Sequence, residues 1–224
     1  MEGECDFDIL SLNVKGFGDK NKCISVLRWL KKRKHKIIFI QEAHCCKDVE
    51  KIWKREWEGN MIFSHGTTNS RGCMVLLSSY LDYSINSTKV DSNGRFIIIN
   101  VQINGRNYNL INVYLPNTET EQVKFFKDFS AVLKKENIAT DDNLIIGGDW
   151  NLVKDIVLDK SGGLVNLKQK AITAQRELMS SLELHDIWRI KNPNTKRYTW
   201  RQKNPFIQCR LDYFFLFLIN YMIM

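Results

Sequence analysis

The apolar and polar positions along the chain switch repeatedly between a period of two, typical of strands, and a period of about 3.6, typical of helices. Residues 7–14 alternate as a half-buried strand does, whereas residues 20–34 place Cys23, Leu27 and Leu30 on one helical face. This succession predicts a mixed α/β fold. The other predicted segments are strands at 37–40, 74–77, 96–101, 108–114, 144–146, 198–201 and 209–218, and a helix at 167–184.

Two local signals define connections between these segments. Asn104-Gly105 separates two predicted strands and is the favoured turn of a tight hairpin. Thr118 and Glu121 form a capping box, in which the threonine hydroxyl accepts from the backbone N–H of Glu121 at the start of a helix. Hairpins mixed with helices favour two sheets packed face to face with helices outside. Since the chain shows no linker, we expect one domain over residues 1–224.

Composition and charge narrow the class of protein. The chain has 33 Lys+Arg and 25 Asp+Glu, a formal net charge of +8, which favours a polyanionic partner. The N-terminus lacks the basic-then-apolar pattern of a secretory signal, and no apolar run reaches the roughly 18 residues of a membrane span. We therefore expect a nuclear or cytoplasmic protein that is not secreted, has no membrane or stable protein partner, and keeps its six cysteines as free thiols.

Polar side chains stand where the predicted strands end. Because such residues are held by rigid elements, they are candidates for a functional site. Their Glu, Asp and Asn oxygens are the hard ligands that Mg²⁺ prefers. Taken singly, each also fits a turn, a surface carboxylate or a core tyrosine, so their order and spacing carry the argument. These residues are Asn13, Glu42, Asn112, Tyr114, Asp149, Asn151 and Asp212.

The motifs around these residues are, in order, SLNVKG, IFIQEAH, INVYLPN, IIGGDWN and RLDYF. In this order and spacing the chain resembles the endonuclease/exonuclease/phosphatase superfamily, and most of all the apurinic-type endonuclease domain of LINE-type (non-LTR) retrotransposons. Residues 70–79, 94–116 and 185–200 also fit that branch. The resemblance implies a four-layer α/β sandwich, with two mixed β-sheets flanked by helices. It further implies hydrolysis of DNA phosphodiester bonds with Mg²⁺, or Mn²⁺ in its place.

The resemblance also implies a role for each site residue. Glu42 matches the metal ligand, and Asn13 lies beside it and orients it. Asp149 matches the residue that orients or deprotonates the attacking water, and Asn151 holds Asp149 and the phosphate in place. Tyr114 matches the tyrosine that donates to the phosphate as charge develops.

One family feature is absent from the sequence. Asp212 matches the aspartate that orients a catalytic histidine, yet the family's Ser-Asp-His segment is missing and none of the four histidines follows Asp212. We therefore expect the last strand to be missing too. A catalytically impaired nucleic-acid-binding remnant is the alternative function, and an RNA or phosphoinositide phosphodiesterase is a third. His44, two residues after Glu42, is interpreted as an exposed or helix-capping histidine.

Two basic clusters are candidate DNA contacts. Residues 28–36 hold six Lys or Arg side chains, which we interpret mainly as a solvated helix face. Residues 189–203 also hold six, interleaved with aromatic rings, a composition suited to tracking a phosphate backbone. The predicted DNA-binding residues are Arg197, Tyr198, Thr199 and Trp200.

Overall fold

The computed structural model describes residues 7–138, 143–164 and 166–217. The helices are α1 (Lys20–Arg33), α2 (Lys47–Glu56), α3 (Glu119–Lys135), α4 (Gln169–Ser181) and α5 (Ile187–Lys191). The strands are β1 (Ile9–Asn13), β2 (Ile37–Gln41), β3 (Gly59–Ser64), β4 (Cys73–Ser78), β5 (Tyr83–Val90), β6 (Phe96–Ile103), β7 (Arg106–Tyr114), β8 (Leu144–Asp149), β9 (Lys160–Ser161), β10 (Leu184–Asp186), β11 (Trp200–Gln202), β12 (Ile207–Cys209) and β13 (Asp212–Phe217).

The chain divides into two compact units. The first comprises the residues up to Tyr114 together with Ile145–Asp149. It contains a sheet of order β1-β2-β4-β3, and the adjacent strands β8, β7, β6 and β5 of a second sheet. Strands β2 and β4 contact β7, and β3 and β4 contact β6, so these two sheets pack face to face.

The first sheet of this unit is apolar on both faces. Every residue of β2 and β4 is buried, as expected of strands with helices on one face and a sheet on the other. Helix α1 contributes Leu27 and Leu30 to the core cluster, and α2 contributes Trp53. The helices thus cover one face through the 3.6-residue spacing of their apolar positions.

The second unit comprises Leu115–Leu144 and the chain from Trp150 onwards. Within it α3 packs on α4, while α4 and α5 contact β10, which pairs antiparallel with β13. A small antiparallel sheet has the order β11-β12-β9. The aromatic core of this unit includes Trp150, whose ring lies 4.9 Å from that of Phe215 and 6.2 Å from that of Phe126.

Several predicted elements are confirmed. Asn104 and Gly105 both have positive φ, at the turn of the β6–β7 hairpin. Thr118 caps α3 and its hydroxyl accepts from the Glu121 N–H, although the Glu121 carboxylate bonds the Thr118 hydroxyl at 2.6 Å. The five cysteines within the described ranges are free thiols, as predicted. Among the helices described, none has the length and apolar character of a membrane span.

Two predicted strand boundaries are wrong. The strand expected at 209–218 is two strands in different sheets, since β12 pairs with β11 and β9 whereas β13 pairs with β10. Between them, the backbone N–H of Arg210 donates to the Asp159 carbonyl at 2.8 Å. The strand expected at 198–201 begins only at Trp200. Residues 1–6, including Cys5, and the end of the apolar tail, 218–224, lie outside the described residues.

Candidate active site

The site begins where β1 and β2 end. These strands pair in parallel and their register places Asn13 opposite Gln41, so Asn13 and the following Glu42 lie at the same edge of the sheet. The Asn13 side-chain amide donates to the Asp149 carboxylate, with 2.8 Å between Nδ2 and Oδ2. Its oxygen accepts from the backbone N–H of Lys15 at 2.9 Å. Asn13 is therefore fixed at both ends of its amide and holds Asp149 in one orientation.

Glu42 has an unusual backbone conformation for a side-chain-bearing residue. Its φ is 55°, in the left-handed region, and its carbonyl accepts from the Gly16 N–H at 2.7 Å. The next residue, Ala43, donates to the Gly72 carbonyl at 3.0 Å. Neighbouring loops thus hold a strained backbone in place, a common feature of functional sites. The carboxylate itself is 29% exposed, which leaves it accessible from solvent.

His44 is neither exposed nor a helix cap, so that interpretation is wrong. Its side chain is only 18% exposed, and Cys46 is the N-cap of α2. The imidazole ring packs on Gly16, where a Cβ atom would lie 2.5 Å from Nδ1. Nε2 lies 3.7 Å from a Glu42 carboxylate oxygen. Only glycine fits at position 16 while the ring lies beside Glu42.

Asp149 ends β8 and is buried. The residue before it, Gly148, has a φ of 137°, and a Cβ atom there would lie 2.1 Å from the Val113 carbonyl oxygen. This close approach of β8 to β7 requires glycine, because any side chain would collide with backbone. The Gly147-Gly148 pair thus places the Asp149 carboxylate at the strand end, rather than simply forming a turn.

Tyr114 ends β7 and contributes a buried phenol. Burial, followed by the negative charges of Glu42 and Asp149, raises the pKa of Tyr114 to about 12. The guanidinium of Arg95 lies over its ring, 5.1 Å from the centroid, and opposes this rise. The hydroxyl therefore stays protonated near neutral pH and can donate a hydrogen bond.

Asn112 and Gln41 join the two sheets beneath the site. Asn112 donates to the carbonyls of Ile40 and Met74, each at 2.9 Å, and its oxygen accepts from the Gln41 amide at 2.7 Å. Both amides are fully buried. Each hydrogen bond satisfied in the interior fixes the spacing of the strands that carry Glu42 and Tyr114.

Comparisons with known proteins agree with this geometry. No protein-family model matches the chain. The chain is 33% identical over 192 residues, 86% of its length, to the transposon TX1 uncharacterized 149 kDa protein of Xenopus laevis. It spans 14% of the length of that relative.

Solved structures share the fold. The AP endonuclease LMAP of Leishmania major has a TM-score of 0.74 and 16% identity, covering 94% of this chain and 79% of its own. An AP endonuclease of Archaeoglobus fulgidus has a TM-score of 0.71 and 19% sequence identity, and the match covers 93% of this chain and 86% of that one. The 3′-5′ exonuclease NExo of Neisseria meningitidis has a TM-score of 0.69 and 17% sequence identity, and the match covers 94% of this chain and 87% of that one.

The chain is thus similar in sequence to part of a transposon protein and shares its fold with these AP endonucleases and this exonuclease, as the resemblance of the motifs predicts. The predicted sandwich of two mixed sheets flanked by helices is confirmed.

Asn151 and Asp212, the other two residues that the resemblance implied, lie in the second unit. Asn151 has a φ of 46° and its amide donates to the Leu115 carbonyl at 2.9 Å. Its own carbonyl accepts from Gln122 at 2.9 Å and from Lys168 at 2.8 Å. Asp212 is the first residue of β13, and its backbone N–H donates to the Thr199 hydroxyl. Asn151 is thus anchored through both its side-chain amide and its backbone carbonyl, and Asp212 through its backbone N–H.

The basic cluster of residues 189–203 divides into two kinds of residue. Arg189 is structural, since it pairs with the buried Asp159 and donates to the carbonyls of Asn192 and Thr195, both at 3.0 Å. The Thr199 hydroxyl accepts from the N–H groups of Leu211 and Asp212. Arg197 is exposed, and Tyr198 and Trp200 are half-buried, so these three present side-chain surface to solvent.

The donor set suits a magnesium ion held by few protein ligands. No cluster of three or more His, Cys, Asp or Glu side chains with metal-site spacing occurs in the described part of the chain. Mg²⁺ keeps several waters and needs only one or two carboxylates. The accessible Glu42 carboxylate fits that requirement, whereas a site built wholly from protein ligands does not fit these residues.

Proposed function

We propose that this chain is a divalent-metal-dependent phosphodiesterase that nicks DNA, with Mg²⁺ as its ion and Mn²⁺ as a substitute. The observation that carries the proposal is the 2.8 Å hydrogen bond from Asn13 to Asp149. It fixes a buried carboxylate beside a protonated phenol and near an accessible glutamate. This combination supplies a base, a hydrogen-bond donor and a metal ligand at the strand ends of the two packed sheets.

Asp149 is the proposed base for the attacking water. One of its oxygens accepts from Asn13. That hydrogen bond holds the carboxylate in one orientation, which a general base needs in order to reach the proton of the water. Asn13 acts here by orientation, which is the role expected of it. Asn151 is proposed to complete the orientation of the phosphate.

Tyr114 is the proposed donor to the phosphate. Its hydroxyl remains protonated because its pKa is raised to about 12. A fixed O–H donor stabilises the charge that builds on a phosphate oxygen in the transition state. Asp212 is proposed to orient a neighbouring polar group of the site. Its family counterpart orients a catalytic histidine.

Glu42, supported by its neighbour Asn13, would hold the metal ion. When bound, the ion acts as a Lewis acid that polarises the scissile phosphate. The half-exposed position of the carboxylate leaves room for water and substrate oxygens around such an ion.

DNA is the proposed substrate because the solved neighbours carry the names AP endonuclease and 3′-5′ exonuclease, and the curated relative is a transposon protein. In a LINE-type element such a nick frees a 3′-hydroxyl that primes reverse transcription. The proposed DNA contacts of the second unit are Arg197, Tyr198, Thr199 and Trp200. We propose in addition that the protein acts in the nucleus or cytoplasm.

A plasmid nicking assay tests the function. Wild type with Mg²⁺ is expected to convert supercoiled DNA to open circles, and Asp149→Asn to lower the rate about 10²–10⁴-fold, as loss of a general base does. Glu42→Gln is expected to be similarly impaired. Asp82→Asn, a change at an exposed carboxylate, is the matched control and should nick normally.

Three outcomes contradict the proposal. Equal nicking by wild type and Asp149→Asn would assign the activity to a contaminant. DNA binding without nicking by wild type would establish a binding protein instead. Faster hydrolysis of RNA or of a phosphoinositide would change the substrate class, since a shared fold does not determine the substrate.

A further inference from the structure

The net charge of the chain is concentrated in one short segment. Residues 20–36, which form α1 and the turn after it, contain eight Lys or Arg and no Asp or Glu. The chain has 33 basic residues, so 25 remain elsewhere, equal to its 25 acidic residues. The formal charge of +8 is therefore the charge of this segment alone.

The basic side chains of α1 form a stripe that points away from the core. The helix buries Cys23, Leu27 and Leu30 and leaves Lys22, Arg28, Lys32 and Arg33 exposed. Lys22, Ser25, Arg28 and Lys32 are separated by three or four residues, so they lie along one face. We name this surface the α1 basic face, comprising Lys22, Arg28, Trp29, Lys32 and Arg33.

Few acidic groups lie near this face. Glu58 is paired with Lys31, with 3.3 Å between Nζ and Oε1. Asp8 bonds His35 and the backbone N–H of Lys36 beyond the end of the helix. Like charges at positions four apart, such as Arg28 and Lys32, repel each other and weaken a helix. A bound polyanion would relieve that repulsion.

An exposed tryptophan is the second observation. Trp29 is 43% exposed, whereas Trp53, Trp57 and Trp150 are 5% exposed or less. The guanidinium of Arg33 lies 5.2 Å from its ring centroid and braces it on the surface. A flat aromatic ring beside guanidinium groups suits the sugars and bases of a nucleic acid better than it suits a solvated face.

The α1 basic face is continuous with the proposed active site. The Lys22 ammonium donates to the Lys15 carbonyl at 3.0 Å, and the Lys15 N–H donates to Asn13 at 2.9 Å. From there α1 extends over 14 residues, a length of about 21 Å. That length matches roughly six phosphates of one B-DNA strand at about 3.4 Å each.

We propose that the α1 basic face binds the backbone of duplex DNA that flanks the cleaved bond. The inference rests on DNA being the substrate. Arg28, Lys32 and Arg33 neutralise phosphates, and Trp29 packs against the strand. The solvated helix face expected for residues 28–36 is thus reinterpreted as a docking surface that extends the substrate contact about six nucleotides from the site.

Salt-dependent DNA binding tests the surface. Binding of a labelled duplex is measured by fluorescence anisotropy in EDTA, so that it is independent of cleavage. Each phosphate neutralised contributes about 0.9 to the slope of log K against log salt, so Arg28→Gln/Lys32→Gln/Arg33→Gln should lower the slope by roughly 2–3. The control Lys127→Gln/Lys134→Gln/Lys135→Gln removes the same charge from exposed positions of α3 and should leave the slope unchanged.

The length of the duplex gives a second test. The difference between wild type and the α1 triple variant should vanish once the duplex is too short to extend about six base pairs beyond the nick. An unchanged slope in the α1 triple variant, or equal losses in both triple variants, would overturn the proposal. Tighter binding of RNA through the same residues would overturn the assignment to DNA. Failure to nick with the slopes as expected would instead refute the catalytic function alone.

Discussion

At the scale of single residues, Tyr114 shows how the surroundings prepare a group for catalysis. Burial of its phenol, followed by the negative charges of Glu42 and Asp149, raises its pKa to about 12, and the same two charges also repel a phosphate. Arg95, over the face of the ring, is the positive charge that offsets them. No sequence motif pointed to Arg95, since it acts from the start of the neighbouring strand.

Tyr114→Phe removes the donor but keeps the ring. We expect kcat for nicking to fall about 10²–10³-fold with little change in KM, because the lost hydrogen bond forms chiefly in the transition state. Since the phenol pKa lies well above its ordinary value of 10, wild-type activity should show no loss from tyrosine ionisation at pH 9–10. Steady-state kinetics and a pH–rate profile measure both effects. A fall in kcat/KM caused only by a higher KM would contradict the role.

Gly148→Ala should damage the site through the backbone. A methyl group there would lie 2.1 Å from the Val113 carbonyl oxygen, at a φ of 137° that side-chain-bearing residues avoid. We expect a loss of at least about 2 kcal/mol in the free energy of unfolding, within the range for backbone strain at such positions. Urea denaturation measures it, with Gly105→Ala as a control that shares a positive φ, 79°, but has open space around it. A loss for Gly148→Ala no larger than that for Gly105→Ala would exclude the clash with Val113 as the cause.

At the scale of elements, the junction between β12 and β13 is held by a buried cluster of charges. Arg210 bonds Asp159 at 2.8 Å and Asp186 at 2.7 Å, and all three side chains are at most 7% exposed. The Tyr213 hydroxyl donates to the Leu152 and Arg210 carbonyls. The backbone N–H of Trp150 donates to the Leu211 carbonyl at 2.8 Å. This cluster fixes the segment that carries Asp212.

Arg210→Met should destabilise the fold strongly. It leaves two buried aspartates without their shared partner, and loss of one member of a buried ion pair costs about 3–5 kcal/mol. Arg189→Met, at the edge of the same cluster, leaves Asp159 paired with Arg210 and should cost less than about 2 kcal/mol. Chemical denaturation of both variants gives the comparison. Equal losses in the free energy of unfolding would show that Arg210 contributes no more to stability than Arg189 does.

The same cluster predicts a dependence of stability on pH. Burial raises the pKa of Asp186, but the hydrogen bonds and charge of Arg210 outweigh it and leave the pKa below 3.8. A pKa lowered in the folded state contributes stability above the unfolded value, which is lost as pH falls through the folded one. Wild type should therefore lose stability as pH drops below about 4, and Asp186→Asn should lose less over that interval. A steeper loss in Asp186→Asn would contradict this sign.

The sequence predicted correctly those elements that are specified by residues close together in the chain. The Asn-Gly turn of the β6–β7 hairpin and the Thr118 cap of α3 depend on residues within a few positions, and both are present. Helix α2 was missed although Val49, Ile52 and Trp53 have helical spacing, because only one of its residues is buried and the apolar signal is brief. The division of the last strand was missed because it depends on pairing with strands that are distant in sequence, β9 for β12 and β10 for β13.

The candidate site likewise contains residues that local patterns predict and contacts that only the packed structure shows. Asn13, Glu42, Tyr114 and Asp149 were found because each follows an apolar strand, and parallel pairing brings the first two to one edge. The bond from Gln41 to Asn112 joins residues 71 positions apart, and no local pattern encodes it. The placement of His44 against Gly16 and the stacking of Arg95 on Tyr114 likewise depend on the packed structure.

At the scale of the whole molecule, apolar burial stabilises the described fold, and no group of three or more His, Cys, Asp or Glu side chains that could hold a metal occurs among the described residues. Burial raises the pKa of Cys23 to about 12 and that of Cys45 to about 11, and raises the pKa of Cys73 as well. These thiols therefore stay protonated near neutral pH. The metal of the proposed mechanism is a catalytic ion at the accessible Glu42 carboxylate, which we expect to contribute little to folding stability.

Removal of divalent ions should therefore separate activity from stability. We expect EDTA to abolish nicking while changing the Tm by less than about 2 °C, equivalent to less than about 1 kcal/mol for a chain of this size. A structural metal would behave differently, because its binding free energy is part of the folding free energy. Differential scanning calorimetry with and without EDTA, beside the nicking assay and its restoration by Mg²⁺, measures both. A large fall in Tm would reveal a structural metal, and nicking that persists in EDTA would exclude metal dependence.

If both expectations hold, Glu42→Gln should reproduce the effect of EDTA, with no nicking and an unchanged Tm, because this carboxylate is accessible and outside the apolar core.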